Sequence, residues 1–156
     1  MRVHDLLTRV SWENASIDNT VRSVIEPFDQ GGRRFVISGE NVRIRSSLVI
    51  AFAMTLNELC TNTTKFGALS LPAGRVRVSW SIEGDRLRFD WVESGGPVVS
   101  EPTRRSFATR MVTSLGQPLK GKVELDYEPT GFVYSLDAPL EALTAKPKSP
   151  AEGAPA

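Results

Sequence analysis

One stretch near the middle of the chain constrains the fold more firmly than any other. From Arg75 to Ile82, and again from Arg86 to Trp91, polar and apolar residues alternate, with residues 83–85 between the two runs. An alternation with a period of two places all the apolar side chains on one face of a strand, and the short Glu-Gly-Asp connection is typical of a β-hairpin. The pattern therefore predicts an antiparallel hairpin with one buried face and one face in water.

A long helix is predicted before this hairpin. Residues 47–66 are apolar almost all round at their start, which is typical of a helix buried in a core, and Gly67 closes the helix. The other predicted elements are a helix from Ser16 to Pro27, a strand over 34–38, a helix over 103–115 and a second hairpin over 123–136. This order predicts an α+β fold, a two-layer α/β sandwich with a mixed, mainly antiparallel sheet.

Composition excludes several classes of function. Lys and Arg number 19 and Asp and Glu number 18, so a formal net charge of +1 argues against nucleic acid as a partner. The single cysteine, Cys60, excludes an intramolecular disulfide framework and fits a reducing compartment, as a small buried hydrophobe. The longest apolar run, Leu48 to Met54, is too short to cross a bilayer, and the N-terminus lacks the apolar core of a signal peptide. We therefore expect a cytoplasmic protein with no membrane segment.

Three polar side chains share one stripe of the long helix. Glu58, Asn62 and Lys65 stand at positions i, i+4 and i+7. An amide oxygen can bind Mg²⁺, an ammonium group can neutralise phosphates, and a carboxylate can accept a proton or orient a water molecule. A solvated helix face with a Glu-to-Asn hydrogen bond has the same spacing, so the spacing alone leaves both interpretations open.

A glycine pair follows the second strand of the first hairpin. Gly95 and Gly96 come shortly after Glu93 and directly before Pro97. Glycines let the backbone approach a flat ligand closely, and a carboxylate can accept a hydrogen bond from an exocyclic amine. A Gly-Gly-Pro sequence after a strand is also a common turn, so this loop by itself does not indicate a function.

The two motifs together resemble the catalytic domain of the HWE-type sensor histidine kinases, a branch of the GHKL ATPase superfamily. That family carries the helix pattern His-Glu-Leu-x-Thr-Asn-x-x-Lys-Tyr/Phe-Gly-Ala-Leu, and residues 57–69 read Asn-Glu-Leu-Cys-Thr-Asn-Thr-Thr-Lys-Phe-Gly-Ala-Leu. Its second signature, Trp-x-Glu-x-Gly-Gly-Pro, stands at residues 91–97. Two motifs in the right order, in predicted helix and strand contexts, are a specific signal.

The resemblance implies a Bergerat-type pocket between sheet and helices that binds ATP and Mg²⁺. It further implies transfer of the γ-phosphoryl group to a histidine, with positioning and electrostatic stabilisation doing most of the catalytic work. Asn62 is then the Mg²⁺ ligand, and the catalytic residues are Glu58, as a polar or acid/base group, and Lys65, which neutralises phosphate charge.

The resemblance also assigns residues to the adenine side and to the lid of that pocket. Glu93 is implied to recognise the adenine amine, with Gly95 and Gly96 shaping the wall beside it. Phe107 and Arg110 are implied to contact the nucleotide from the lid.

The chain departs from the family pattern at three places. Asn57 replaces the first histidine of the helix motif and cannot titrate near neutral pH. Ser106 and Ala108 stand where the family lid has glycines. The only histidine, His4, matches a segment after the dimerisation helices and not the phosphoacceptor. The implied partners are therefore a histidine-bearing dimerisation domain and a response regulator; the alternative is a degenerate, non-catalytic module that docks a response regulator or a partner kinase.

The resemblance and the composition predict three parts of the chain. Residues 1–15 are expected to be a linker, or the end of a missing dimerisation region, and residues 16–138 the ATP-binding catalytic domain. Residues 139–156 are rich in Ala, Pro, Lys and Ser and are expected to form a disordered tail.

Overall fold

A single five-stranded sheet organises the protein in a computed structural model that describes residues 16–99 and 115–144. The strands follow the order β1-β2-β3-β5-β4; β1 runs parallel to β2, and the other three pairings are antiparallel. Their bounds are Phe35–Gly39 for β1, Arg75–Glu83 for β2, Arg86–Ser94 for β3, Lys122–Glu128 for β4 and Gly131–Pro139 for β5. The predicted mixed, mainly antiparallel sheet is confirmed.

The first helix, α1, runs over Ile17–Ile25 and is fixed by its cap and its apolar face. The Ser16 hydroxyl accepts a hydrogen bond from the backbone N–H of Asn19 at 3.1 Å, which satisfies one of the free donors of the first turn. Buried side chains recur at helical spacing along one face. A 3₁₀ turn that contains Pro27 follows directly, because proline cannot continue the helix.

The central helix, α2, runs over Ser46–Lys65 and forms the second layer of the fold together with α1. Its Phe52 ring lies 6.2 Å from the ring of Phe89 on β3, in an edge-to-face arrangement that favours aromatic packing. Helices packed on one face of the sheet give the predicted two-layer α+β fold. None of the helices in the described part of the chain is both long and apolar enough to cross a membrane.

The hairpin of β2 and β3 has the two faces that its sequence predicts. Its buried residues pair across the strands, for example Val78 with Trp91, while the arginines that alternate with them are exposed. Phe89 is 1% exposed and also lies near the rings of Trp80 and Tyr134. Burying such a side chain stabilises the fold by about 1.5–3 kcal/mol. The core therefore lies between this face of the sheet and the two helices.

The disordered tail predicted from residue 139 is wrong for its first six residues. Pro139 ends β5, and a short helix, α3, covers Leu140–Thr144, with Leu143 fully buried. Arg45, directly before α2, donates from its backbone N–H to the Leu143 carbonyl at 3.1 Å and from Nε to the Ala142 carbonyl at 3.0 Å. The prediction relied on the average composition of the tail, and such an average does not reveal that a single residue, Leu143, is buried in the core.

Several sequence predictions fall outside the described residues. They are the segment 1–15, the rest of the tail over 145–156 and nearly all of the helix predicted over 103–115.

Candidate functional site

Glu58, Asn62 and Lys65 lie along one stripe of α2, at the boundary between the core and the solvent. Glu58 and Asn62 are partly buried and Lys65 is exposed, whereas the neighbouring Leu59 and Thr63 are each 1% exposed. Lys65 stands in the last turn of α2, where the helix dipole favours a positive charge. The stripe is therefore accessible to a charged ligand from the solvent.

The side chain of Asn62 is anchored by a hydrogen bond from its amide nitrogen. Its Nδ2 donates to the backbone carbonyl of Glu58 at 2.8 Å. Because a carbonyl oxygen only accepts hydrogen bonds, the amide nitrogen must be the atom that faces it. The amide oxygen makes no hydrogen bond within residues 16–99 and 115–144, so it remains available as a ligand. The hydrogen bond that the sequence left open as an alternative is thus made to the backbone of Glu58.

The donor chemistry of this stripe fits magnesium bound together with phosphates. Among the described residues, no three His, Cys, Asp or Glu side chains form a group that could hold a metal ion. A cation at the Asn62 oxygen would complete its coordination with water and ligand oxygens. Mg²⁺ is commonly bound in this way, through few protein oxygens together with substrate phosphates.

The Glu93 carboxylate is engaged by two protein donors. Its Oε1 accepts a hydrogen bond from the backbone N–H of Ala68 at 2.9 Å, and its Oε2 accepts one from Nε1 of Trp91 at 3.0 Å. Glu93 is 5% exposed and Trp91 is fully buried. The carboxylate thus joins the end of β3 to the turn that follows α2, while a contact to adenine stays a prediction.

The glycines after β3 allow two loops to approach each other closely. Gly95 has a φ of +76°, in the left-handed region that favours glycine, and a Cβ on it would collide with the Ala73 carbonyl oxygen. A Cβ on Gly96 would collide with Ala68. These glycines therefore pack against the loop over residues 67–74, and their predicted role as the wall beside a ligand remains a prediction.

Two arginines hold the far end of that loop. Arg34 donates to the carbonyls of Leu71 at 2.7 Å and Gly74 at 3.0 Å, and Arg75 donates to those of Pro72 at 3.1 Å and Gly74 at 2.7 Å. Sequence reasoning missed this support, because no local spacing links Arg34 to a loop 37 residues further along the chain.

Two further residues of α2, Cys60 and Asn57, have no assigned part in binding or catalysis. Burial, and after it the nearby Glu93 carboxylate, raise the pKa of the Cys60 thiol, so it stays protonated at neutral pH and acts as a small buried hydrophobe. The Oδ1 of Asn57 is buried and has no hydrogen-bond partner in the described ranges.

The lid residues Phe107 and Arg110, with Ser106 and Ala108, lie outside the described residues, as does His4.

Comparison with known proteins relates this chain to histidine kinases. No protein-family model matches the chain. It is 35% identical over 147 residues to a blue-light-activated histidine kinase of Brucella anthropi, and 30% identical over 145 residues to that of Brucella ovis. These alignments cover 90% and 89% of this chain. The chain spans only 30% of the length of each relative.

Solved structures of histidine kinases share the fold. The histidine kinase domain of the blue-light activated kinase EL346 of Erythrobacter litoralis superposes with a TM-score of 0.66 at 16% identity, over 89% of this chain and 70% of that one. The catalytic domain of the histidine kinase ThkA superposes with a TM-score of 0.59 at 14% identity, over 83% and 97%. The chain is thus similar in sequence to a part of these blue-light-activated histidine kinases, and its fold is that of the catalytic domains of solved histidine kinases.

Proposed function

We propose that the chain is the ATP-binding catalytic domain of a two-component sensor histidine kinase. It transfers the γ-phosphoryl group of ATP to a histidine that another domain or chain supplies. The observation that supports this proposal best is the Asn62 side chain, which is anchored through its nitrogen and keeps its oxygen without a hydrogen bond in the described part of the chain. Residues 16–144 form the nucleotide-binding unit.

The stripe on α2 orients the phosphates. Asn62 would hold Mg²⁺ through its amide oxygen, and an ion held there would supply positive charge to the phosphate oxygens. Lys65 adds a second positive charge from the last turn of the same helix. Glu58, one turn earlier on the stripe, accepts a proton or orients the attacking group. Catalysis here consists mainly of positioning and electrostatic stabilisation, as expected for phosphoryl transfer.

The remaining contacts come from the loop after β3 and from the lid. Glu93 recognises the adenine amine, and Gly95 and Gly96 shape the wall of the pocket beside it. Phe107 and Arg110 are the further nucleotide-binding residues, and the Arg110 guanidinium is suited by its chemistry to the phosphates.

The partners are a histidine-bearing dimerisation domain and a response regulator. The histidine kinase ThkA has been solved in complex with the response regulator protein TrrA. The only histidine of this chain, His4, is not assigned as the acceptor, so transfer takes place to a histidine outside this sequence. We place the protein in the cytoplasm, since its one cysteine is a free buried thiol that fits a reducing compartment.

Calorimetric titration with a non-hydrolysable ATP analogue tests the pocket. We expect micromolar binding that depends on Mg²⁺, and at least a roughly tenfold loss in Asn62→Ala, because the metal loses its protein ligand. Asn62→Asp keeps an oxygen ligand and should retain Mg²⁺-dependent binding. Thr64→Ala, an exposed change on the same helix, is the matched control and should bind like the wild type.

Transfer is tested with labelled ATP and a separately supplied dimerisation domain that carries the acceptor histidine. Label that appears on this domain, and disappears when its histidine is replaced, supports kinase activity in trans. Absence of nucleotide binding at millimolar concentration would overturn the proposal and leave a non-catalytic docking module. Binding without any transfer would overturn the kinase activity alone.

A further inference from the structure

The face of the sheet opposite α1 and α2, here called the open face, carries its charges in an ordered arrangement. Four of the strands form two hairpins, β2 with β3 and β4 with β5, and the strand order places these hairpins side by side. We propose that the open face associates with the same face of a second copy of this chain. The β2-β3 hairpin of each copy then lies over the β4-β5 hairpin of the other, and this arrangement does not depend on the proposed function.

Opposite charges are separated between the two hairpins of the open face. The β2-β3 half presents exposed arginines, which are Arg75, Arg77, Arg86 and Arg88. The β4-β5 half presents carboxylates, which are Glu124, Asp126, Glu128 and Asp137. Charges of the other sign also occur on each half: Glu83 and Asp90 on the first, and Lys122 on the second. A face divided in this way is complementary to itself, because the basic half of one copy attracts the acidic half of another.

The register of the strands brings complementary side chains into one row. Arg77 pairs with Val92 across β2 and β3, Val92 pairs with Val133 across β3 and β5, and Val133 pairs with Asp126 across β5 and β4. A two-fold axis that runs parallel to the strands, between β3 and β5, reverses this row onto itself. Such an axis sets Arg77 against the Asp126 of the second copy and Val92 against its Val133, as a symmetric dimer requires.

The next two rows along the strands fit the same axis. In the farther one, Arg88 pairs with Asp137 across β3 and β5, so the axis sets each Arg88 against the Asp137 of the second copy. The other charged residues of these rows each meet a serine; the pairs are Asp90 with Ser135, Glu124 with Ser79, and Lys122 with Ser81. Across the three rows the axis thus brings opposite charges together at two positions and like charges together at none.

The two outer residues of the first row are available to a partner. Arg77 and Asp126 are both exposed, and neither side chain makes a hydrogen bond or an ion pair within residues 16–99 and 115–144. Arg88, by contrast, already pairs with Asp90 of its own chain at 3.1 Å. Arg77 and Asp126 therefore gain most from a second copy, and the partly buried valines between them supply an apolar contact at the centre.

The size of the open face sets the strength of the association. Four strands that lie about 4.8 Å apart and rise about 3.3 Å per residue give this face an area of roughly 500 Å². Two copies then bury roughly 1,000 Å² in total, which is the size of weak, transient interfaces. We therefore expect a dissociation constant on the order of 100 μM, which rises with salt concentration because the charged pairs are in contact with water.

Charge reversal and its rescue test both the interface and its register. In sedimentation equilibrium of the full chain, at low salt and up to roughly 1 mM protein, Arg77→Glu and Asp126→Lys should each weaken self-association at least about tenfold. Each variant alone places like charges together twice in its dimer. An equimolar mixture of the two variants should associate at least as tightly as the wild type, because in the mixed dimer both positions again face an opposite charge. A monomeric wild type, or a mixture that stays monomeric, would overturn the proposal.

The matched control is Asp18→Lys, which makes the same change of charge on α1, in the helix layer. It should associate like the wild type, and a loss equal to that of Asp126→Lys would assign the effect to net charge and contradict the interface.

NMR of the wild type locates the interface without any substitution. The methyl resonances of Val92 and Val133 should shift as the protein concentration rises, while those of Val21 and Val24, which are buried on α1, stay constant. Self-association that leaves the Val92 and Val133 methyl groups unchanged would place the contact on another surface and overturn the proposal.

Discussion

Two carboxylates on β3 stand three residues apart and face opposite sides of the sheet. On the open side, Asp90 accepts from Nε of Arg88 at 3.1 Å and from the hydroxyl of Ser135 at 2.7 Å, with 25% of its side chain exposed. On the covered side, Glu93 accepts only from N–H groups and is 5% exposed. Each oxygen of both carboxylates accepts a hydrogen bond, but only on the covered side does the loss of the carboxylate leave donors that water cannot reach.

The difference shows that location, and not the number of contacts, decides what a polar group contributes. An ion pair in contact with water is screened and contributes about 1 kcal/mol or less. A buried donor that loses its acceptor costs about 1–3 kcal/mol. The following predictions test this contrast between the two faces.

The largest effect is expected from a core residue of the covered face, Phe89, which directly precedes Asp90 on β3. Phe89→Ala removes a ring that is 1% exposed and lies near Phe52, Trp80 and Tyr134, so the free energy of unfolding should fall by about 3–5 kcal/mol. Urea unfolding measures it, and Arg88→Ala, the neighbouring change on the open face, should leave the midpoint nearly unchanged. A loss in Phe89→Ala below about 1 kcal/mol would mean that this face is poorly packed.

Removal of the two carboxylates should give unequal losses. Glu93→Ala leaves the N–H groups of Ala68 and Trp91 buried without acceptors, so we expect a loss of about 2–4 kcal/mol in urea unfolding. Asp90→Ala should cost about 1 kcal/mol or less. Equal losses for the two variants would refute the contrast.

Alkaline pH should lower the free energy of unfolding, through the titration of two groups buried on the covered side of the sheet. Burial raises the pKa of Cys60, as does the charge of Glu93, and burial raises the pKa of Tyr134. The unfolded chain releases the Cys60 proton above roughly pH 8.5 and the Tyr134 proton above roughly pH 10, while the folded chain keeps both. Stability that is complete below these pH values is therefore lost as the pH rises. We expect Cys60 to account for a loss of about 2 kcal/mol between pH 8 and pH 10.

The control for this pH effect is Cys60→Ala, measured by urea unfolding at both pH values. Its stability should fall less between them than that of the wild type. An identical fall in both proteins would assign the effect to other groups.

The smallest effect is expected from Tyr134, on the same face as Glu93. Its hydroxyl is buried and has no hydrogen-bond partner among the residues described. Tyr134→Phe should therefore leave the free energy of unfolding at pH 7 unchanged or raise it by about 1 kcal/mol, since it removes a buried hydroxyl that has no partner in that part of the chain. Thermal unfolding followed by circular dichroism measures the change, and a clear loss would reveal a partner for the hydroxyl.

Much of the fold follows from local patterns in the sequence. The alternation over 75–91 predicted β2 and β3, and the Ser16 cap with Pro27 predicted both ends of α1. The predicted bounds of α2 differ from the structure by one residue at each end. These features depend on residues that are neighbours in sequence, so a single sequence contains the signal.

The parts that sequence did not predict depend on distant residues. Ala68 and Glu93 are 25 positions apart, and their hydrogen bond is possible only because Gly67 has no side chain that would collide with the Glu93 carboxylate. The hydrogen bonds from Arg34 to the loop over residues 67–74 likewise could not be predicted, because no sequence spacing indicates them. The stripe on α2 could be predicted from helical periodicity, whereas the orientation of the Asn62 amide required the position of a backbone carbonyl.

The hydrogen bonds between Arg45 and α3 have a practical consequence for any shortened or fused version of the protein. A chain cut after residue 138 would uncover the pocket that Leu143 fills and leave Arg45 without its two carbonyl acceptors. Both losses fall at the N-terminal end of the helix that carries Asn62. A domain joined downstream should therefore be attached beyond Thr144, where it leaves the start of that helix undisturbed.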